Sequence, residues 1–351
     1  MSAPSSSGSE AKDSAHRLPR VLSGIQPSGA FHLGNYLGAV RQWVAHQDDT
    51  DGYFCIVDLH AITVPQDPEA LLRSTREVAA LLLACGIDPQ RSTLFVQSHV
   101  RAHAELSWVL GCLTPLGWLE RMTQFKSKSG KQQARASSGL LTYPVLQAAD
   151  ILLYDADQVP VGEDQRQHLE LARDIAGRFN HLYGETFVLP EAVIPKVGAR
   201  IMGLDDPTSK MSKSSAHNRG HAVRVTDSPK EIEWVLKRAV TDSGREICFS
   251  EDDEKAGVNN LLTIYQLLTA KDRESVLADF AEARGYGDLK KAVAEAAVEA
   301  LRPIREEFER LMQDPAELDR QLAIGAERAR ELAEPKIAEV KEKVGFWVPG
   351  D

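Results

Sequence analysis

Short apolar runs alternate with helical patterns in the first part of the chain. The runs lie at residues 21–22, 53–57 and 94–96. Runs of this length with helices between them indicate βαβ crossovers, and therefore a parallel sheet with helices on both faces. The pattern predicts a doubly wound α/β fold. Ligands of such folds bind at the carboxyl ends of the strands, where residues 24–29, 58–60 and 97–99 would converge.

The rest of the chain shows mainly helical patterns. Residues 103–185 are predicted to be mainly helical, with apolar positions at intervals of three and four in residues 147–154 and 164–179, and a helical pattern dominates from about Ser228 onward. Asp288 is a candidate N-cap for a long helix with one apolar face. Asp314 and Pro315 predict the cap and first turn of another helix, which Gly345 would end.

Length and composition define the organisation further. A chain of 351 residues exceeds the size at which a single hydrophobic core keeps growing, so two domains are expected. We predict a disordered Ser-rich tail at 1–17, an α/β domain at 18–220 with a helical insertion at about 103–185, and a helical domain at 221–351. No apolar run of about 18 residues is present to span a membrane. The Ser-rich start lacks the apolar stretch of a secretory signal, which favours a cytoplasmic location.

Cysteines and charge exclude several classes of protein. Cys55, Cys85, Cys112 and Cys248 are scattered, which predicts neither disulfides nor a zinc or iron–sulfur site. A net charge of -10 argues against indiscriminate binding to DNA or RNA, which relies on a broad cationic surface. A local basic cluster could still contact an RNA backbone or a triphosphate. Its members are Arg101, Arg121, Lys126, Lys128, Lys131 and Arg135, and for the last two a solvated surface is the favoured interpretation.

Two lysines in the pentapeptide KMSKS, residues 210–214, are the strongest chemical signal. Lys210 and Lys213 place two ammonium groups in a short polar stretch, where they could hold a polyphosphate while charge moves through it. On spacing alone, a solvated loop is the commoner reading. A second element at residues 27–35 favours nucleotide binding instead, because there a Gly-rich turn leads from an apolar strand into a helix.

Together these two elements resemble the signatures of class I aminoacyl-tRNA synthetases. His32-Leu33-Gly34-Asn35 corresponds to the first signature, HIGH, and residues 210–214 match the second letter for letter. Five further segments are similar in wording and order to bacterial tryptophanyl-tRNA synthetases, from about Arg20 to Phe346. They are GIQPSG at 24–29, DLHAIT at 58–63, RMTQFK at 121–126, AADIL at 148–152 and VGEDQ at 161–165.

The resemblance implies an ATP-dependent ligase that joins L-tryptophan to tRNA(Trp) through a tryptophanyl-adenylate, with release of pyrophosphate. It implies a Rossmann-like catalytic domain, an all-α C-terminal domain that binds the anticodon, and a homodimer. ATP would enter with Mg²⁺ carried by its phosphates, since no acidic cluster predicts a metal cage made by the protein. No prosthetic group is expected.

For catalysis the resemblance implies roles for four residues: His32, Asn35, Lys210 and Lys213. The lysines would bind the β- and γ-phosphates, on a mobile loop that follows turn residues 205–209. His32 could donate a hydrogen bond to developing phosphate charge, or it could be a helix-entry residue bonded to the backbone. The implied ATP-binding residues are Gln26, Ser28, Gly34, Asn35, Lys128, Gly162, Asp164, Lys210, Met211, Ser212 and Lys213.

An indole needs apolar walls and one acceptor for its N–H. By resemblance that acceptor is Asp150, which lies in an apolar helix where an unpaired carboxylate would be costly. A structural Asp, bonded internally, is the alternative. The implied tryptophan-binding residues are Leu22, Gln26, His60, Tyr143, Gln147, Asp150 and Gln165. Gln147 stands where bacterial relatives commonly have methionine, and residues 215–218 depart from the usual Asp-Pro-Asn.

Three other functions compete with this interpretation. A tyrosyl-tRNA synthetase shares the fold, although GIQPSG and AADIL argue against it. A catalytically idle paralogue could bind tRNA or a partner protein, but it would have little need for His32, Asn35 and both lysines. A small adenylyltransferase would not explain the long helical carboxyl-terminal part.

Overall fold

The computed structural model of the protein describes residues 17–27, 31–123, 137–162, 165–193, 200–212 and 218–347. Four predicted site residues lie outside these ranges: Ser28, Lys128, Asp164 and Lys213. The same holds for most of the predicted tail at 1–17. Within the described ranges, no helix combines the length and apolar character needed to cross a membrane.

Five parallel strands form a single sheet in the order β3-β2-β1-β4-β5. The strands are β1 (Arg20–Ile25), β2 (Asp51–Ile56), β3 (Thr93–Val96), β4 (Gln158–Pro160) and β5 (Glu191–Val193). In the register of the sheet Leu22 lies opposite Tyr53, and Phe54 lies opposite Leu94. The predicted parallel sheet is confirmed, and the three apolar runs are its strands β1, β2 and β3.

Helices account for most of the remaining described chain. Those before β4 are α1 (Leu33–Asn35), α2 (Arg41–Ala45), α3 (Asp58–Ala61), α4 (Pro68–Ala84), α5 (Ala102–Leu113), α6 (Leu116–Glu120) and α7 (Ser138–Leu152). A π-helical turn, Tyr36–Val40, joins α1 to α2. After β4 come α8 (Arg166–Tyr183), α9 (Pro229–Lys237), α10 (Ala256–Thr269), α11 (Arg273–Asp279), α12 (Tyr286–Gln313) and α13 (Pro315–Lys343).

Alternate side chains of the strands enter two hydrophobic cores on opposite faces of the sheet. Phe54 and Ile56 of β2 pack on one face with α4 and with the helices from α9 to α12. Tyr53 and Cys55 point to the other face, into a core made with α5, α7 and α8. Because side chains along a strand alternate between faces, this division is the doubly wound arrangement that the sequence predicts.

Caps were predicted for the amino-terminal ends of the last two helices, α12 and α13. Asp314 caps α13 by accepting from the Glu317 amide, and Pro315 occupies its first turn, as predicted. The prediction for α12 is wrong by one turn, since the helix starts at Tyr286 with Gly285 as its N-cap. The Asp288 carboxylate accepts instead from the Arg284 amide at 2.7 Å. Asp288 thus binds the backbone just before the helix from a position inside the first turn.

Helix α13 lies along β3, the strand at the edge of the sheet. A Cβ built on Gly325 would come within 1.8 Å of the Leu94 carbonyl oxygen, so only glycine allows this approach. Arg328 donates to the Pro89 carbonyl, and Arg330 donates to the His99 carbonyl at 2.7 Å. The carboxyl-terminal helix therefore covers backbone at the exposed side of an edge strand.

Candidate active site

Backbone hydrogen bonds join the first signature to a stretch that follows the second signature. The Leu33 amide donates to the Val223 carbonyl at 2.8 Å, and the Val225 amide donates to the Phe31 carbonyl at 3.1 Å. Between them His32 forms an antiparallel bridge with Arg224. The chain that follows the lysine-bearing pentapeptide is thus paired with the entry to the first helix, although about 190 residues separate them along the chain.

Met211 fixes the lysine-bearing segment to the core. Its side chain is 1% exposed and packs in the same core as Leu33, and its amide donates to the Ile201 carbonyl at 3.0 Å. A Cβ built on Gly34 would lie 3.5 Å from the Cβ of Met211. Next to this anchor, Lys210 is exposed. The described residues of the second signature, 210–212, therefore lie beside the first signature.

His32 and Asn35 form a capping box at the start of α1. The His32 amide donates to Oδ1 of Asn35 at 3.1 Å, and the Asn35 amide donates to Nδ1 of His32 at 3.3 Å. Because Nδ1 accepts, the proton of the neutral imidazole is on Nε2. The box uses the acceptor atom of each side chain, and the atoms outside it, Nε2 of His32 and Nδ2 of Asn35, are hydrogen-bond donors. Such donors suit an anionic ligand.

Asp150 lies at the centre of a buried polar cluster on α7. Oδ1 accepts from Nδ1 of His103 at 2.7 Å and from Nε2 of Gln97 at 2.7 Å, and Oδ2 lies 2.8 Å from Nε2 of His60. Burial acts to raise the pKa of Asp150, but the hydrogen bonds from His103 and His60 outweigh it and hold this pKa well below its usual range. Asp150 is therefore a carboxylate at neutral pH, although it is only 3% exposed.

A second layer of contacts fixes the partners of Asp150. Nε2 of His103 lies 2.8 Å from the hydroxyl of Tyr154, and burial raises the pKa of this hydroxyl, which keeps its proton and donates it. Oε1 of Gln97 accepts from the Leu59 amide at 3.1 Å. Gln97 follows β3 and His60 follows β2, so the carboxylate on α7 is held from the carboxyl ends of two strands.

Tyr143, Gln147 and Asp150 share one face of α7, because their spacing of four and three residues matches the helical repeat. The Tyr143 hydroxyl lies 2.8 Å from Nε2 of His168 on α8, and its ring meets His60 edge-on with centroids 6.2 Å apart. Burial raises the pKa of Tyr143 to about 12, so the hydroxyl is neutral. Gln147 on this face is half-buried.

Most of the predicted site residues with described positions lie around this edge of the sheet. Leu22 is in β1 and is buried in the core beneath α7, and Gln26 follows the end of β1. Gln165 is the N-cap of α8, and its amide donates to the carbonyl of Gly162 at 2.9 Å. Asp206 turns the chain before the lysines by accepting from the amide and the hydroxyl of Thr208.

Three residues of this region were not predicted as site residues: His103, His168 and His221. Gln97 begins the segment 97–99 that the sequence places at the binding edge, although no role was predicted for it. His103 and His168 gave no signal, because a histidine inside a helical pattern has the same spacing whether it packs or binds. Their ring-nitrogen partners become known only when the helices are placed. Within the described ranges, no group of three or more metal-ligating side chains is arranged to hold a metal ion.

A family model described as tRNA synthetases class I (W and Y) matches residues 14–302 of the chain. The chain belongs to this family of class I synthetases. A tryptophan–tRNA ligase of Wolinella succinogenes is 54% identical over 327 residues, which cover 93% of this chain and 98% of the relative.

Solved structures of class I synthetases show the same fold as this chain. The tryptophanyl-tRNA synthetase of Mycoplasma pneumoniae superposes with a TM-score of 0.84 at 36% identity, covering 94% of this chain and 99% of the other. The enzyme of Campylobacter jejuni, determined in complex with ADP and tryptophan, gives a TM-score of 0.82 at 38% identity and covers 93% and 100% of the two chains. The Rossmann-like fold class is thereby confirmed.

In this class I synthetase the position of Gly34 yields a first test. A Cβ at residue 34 would lie 3.0 Å from Nδ1 and 3.2 Å from Cε1 of His32, so Gly34→Ala should displace the imidazole. We expect kcat for ATP–pyrophosphate exchange to fall roughly 10-fold or more. The melting temperature should hardly change, because alanine favours helix by about 1 kcal/mol over glycine, and this gain offsets the crowding of His32.

Gly177→Ala is the matched control for this change. Gly177 lies inside α8, and a Cβ there would meet no atom within 4 Å. It should keep the exchange rate of the unaltered protein. Equal rates in the two variants would contradict the proposed link between Gly34 and the orientation of His32.

Proposed function

We propose that this class I synthetase is a tryptophan–tRNA ligase. It activates L-tryptophan with ATP to tryptophanyl-adenylate, releases pyrophosphate and transfers the amino acid to tRNA(Trp). The observation that carries the proposal is the joining of residues 31–33 to residues 223–225, because it brings the helix entry and the lysine-bearing segment to one site. The sequence identity to the Wolinella ligase, over nearly the full length of both chains, supports the choice of amino acid.

The reaction requires the carboxylate of tryptophan to attack the α-phosphate of ATP in line, so the protein must neutralise charge on the leaving pyrophosphate. Lys210 and Lys213 would do this from the lysine-bearing loop. His32 and Asn35 would donate hydrogen bonds through Nε2 and Nδ2, since Nδ1 of His32 and Oδ1 of Asn35 are the acceptors in the capping box. Because the side chain of Met211 is buried, its contact with ATP would come from its backbone.

The remaining ATP contacts are proposed from the resemblance. Gly34 and Ser28 would allow close approach of the backbone, Lys128 would add a phosphate contact, and Gly162 with Asp164 would meet the ribose and adenine. Gln26 would lie between the two substrates. Gly162 is exposed and follows β4, which suits contact with a ligand at the carboxyl edge of the sheet. Mg²⁺ would enter as part of the ATP substrate.

Asp150 is the proposed acceptor for the indole N–H. Each carboxylate oxygen can accept about two hydrogen bonds. Among the described residues, Oδ1 accepts two hydrogen bonds, from His103 and Gln97, whereas Oδ2 contacts one partner, His60. The cluster thus orients the carboxylate and leaves acceptor capacity on Oδ2, so the structural role of Asp150 and its role in recognition are compatible.

Tyr143 and Gln165 are the proposed partners of the substrate ammonium group. The Tyr143 hydroxyl lies 2.8 Å from Nε2 of His168, and a hydroxyl oxygen is a suitable acceptor for an ammonium group. His60 and Leu22 would bound the indole. Gln147, on the same face of α7, would offer an amide where relatives commonly place a thioether, which makes this wall of the pocket more polar.

The assembly and the carboxyl-terminal part complete the proposal. Residues 18–220 would form the catalytic domain, with the helical insertion at about 103–185, and residues 221–351 would bind the anticodon of tRNA(Trp). By resemblance the active enzyme is a homodimer. A cytoplasmic location suits an enzyme that supplies charged tRNA to the ribosome.

Exchange of labelled pyrophosphate into ATP tests the function directly. We expect exchange that depends on tryptophan and exceeds exchange with tyrosine by at least about 10³-fold. The tyrosine hydroxyl is also a donor, but it leaves its ring at a different place from the indole N–H, so an acceptor positioned for one does not meet the other. Tyrosine-dependent exchange would identify a tyrosyl-tRNA synthetase. Absence of exchange with every amino acid, together with retained tRNA binding, would identify an idle paralogue.

A further inference from the structure

A buried histidine contacts the backbone of the lysine-bearing segment. His221 is 3% exposed, its Nε2 accepts from the Ser212 amide at 3.3 Å, and its Nδ1 lies 2.6 Å from Oδ1 of Asp205. A backbone amide can only donate, so Nε2 must be the nitrogen without a proton, and Nδ1 donates to the carboxylate. Asp205 therefore fixes the tautomer that lets His221 accept from Ser212.

Neighbouring residues pack closely against the imidazole of His221 and hold Asp205. A Cβ on Gly203 would lie 2.5 Å from Cε1 and 2.8 Å from Nδ1 of His221, so glycine is required beside the imidazole. The Leu204 amide donates to the His221 carbonyl at 2.9 Å. Asn218 donates to Oδ2 of Asp205. Asn218 thus holds one oxygen of the carboxylate while the other oxygen contacts the histidine.

His221 and Asp205, which we call the dyad, connect the two signature segments. Ser212 lies directly between Met211, which is anchored in the core, and Lys213. His221 lies two residues before Val223, whose carbonyl accepts from Leu33 in the first signature. A single short stretch thus pairs with the helix entry through Val223 and holds the lysine-bearing segment through His221.

We propose that His221 and Asp205 act as positioning residues for the transfer of the adenylyl group from ATP to tryptophan, by fixing the backbone at Ser212 between the two lysines. The proposal rests on the proposed ligase function and adds to it two residues that touch neither substrate. Because only the lysine-bearing segment depends on the dyad, its loss should affect the chemical step on ATP and leave tryptophan binding at Asp150 unchanged.

The test compares two replacements of the same histidine in the full-length protein. His221→Leu introduces an apolar side chain of similar size and removes the acceptor. We therefore expect kcat for tryptophan-dependent exchange to fall ~10-fold and KM for tryptophan to stay within ~2-fold of its original value. His221→Gln can accept from Ser212 and donate to Asp205, so it should retain kcat within ~3-fold. A leucine variant with full exchange, or a glutamine variant as slow as leucine, would overturn the proposal.

Asn180→Leu controls for the loss of a polar clamp as such. Asn180 holds the amides of Thr186 and Phe187 near the end of α8, about 20 Å along the helix from Gln165. The Asn180→Leu variant should have a lower melting temperature but an unchanged kcat at temperatures where the protein is folded. An equal loss of kcat in Asn180→Leu and His221→Leu would overturn the positioning role.

Asp205→Asn keeps the test decisive if the leucine variant does not fold. Asparagine loses the charge that favours the Nδ1–H tautomer, so kcat should fall ~3-fold and KM for tryptophan should stay constant. An unchanged kcat in this variant would overturn the proposal. Exchange by the unaltered protein is measured first, because its absence would count against the ligase function itself and not against the dyad.

Discussion

Replacement of Asp150 by asparagine is expected to raise KM for tryptophan by about 100-fold. An amide has one acceptor atom, and three donors already surround this side chain: His60, Gln97 and His103. The indole N–H would then face either an NH₂ group or an oxygen with no capacity left. Steady-state ATP–pyrophosphate exchange over a range of tryptophan concentrations measures the change.

A tryptophan analogue with sulfur in place of the indole N–H separates recognition from general damage. The unaltered enzyme should discriminate strongly against this analogue, whereas Asp150→Asn should hardly distinguish it from tryptophan, because the acceptor is gone. Asp155→Asn is the matched control. Asp155 forms an ion pair with Lys336 at 3.0 Å, outside the polar cluster, so its loss should leave the preference intact. Persistent discrimination in Asp150→Asn would refute the assigned role.

Replacement of Lys210 by alanine should lower kcat for exchange by about 10² to 10³-fold while KM for tryptophan changes little. The reason is that the ammonium group of Lys210 would stabilise the negative charge on the leaving pyrophosphate, and this charge develops mainly in the transition state. The residue is exposed, so the melting temperature should stay the same. Lys213→Ala should behave alike, since the resemblance gives both lysines the same task.

Lys230→Ala is the control for the loss of surface charge. Lys230 is exposed in the first turn of α9, close in sequence to the same segment. Its removal should leave exchange unaltered. If Lys210→Ala and Lys230→Ala gave the same rate, Lys210 would be a solvated surface residue, as its spacing alone suggested.

The sequence predicted the parts of the fold that repeat a simple pattern. Strands β2 and β3 are continuous apolar runs because a strand of a doubly wound sheet is buried on both faces. Strands β4 and β5 escaped prediction, because each pairs over only three residues and such a stretch has no periodicity to detect. The cap of α12 was misplaced because an acidic residue in the first turn and an N-cap favour the same helix end.

The site was predictable where motif wording could be matched, and not where function depends on distant partners. Tyr143, Gln147 and Asp150 share a helical face that the spacing gives directly. In contrast, the bonds from Gln97 and His103 to Asp150 span 53 and 47 residues along the chain. Such pairings follow from tertiary packing, which no local pattern records. The same holds for His221, whose role depends on Asp205 and on the space left by Gly203.

The contact of Gly325 in α13 with the backbone of β3 has a consequence for biosynthesis. Residues 93–96 leave the ribosome long before the helix that shields them, since Gly325 follows more than 200 residues later. Throughout that interval the nascent chain presents an unprotected strand to other polypeptides. The cover of this edge strand can therefore form only after nearly the whole chain has been synthesised.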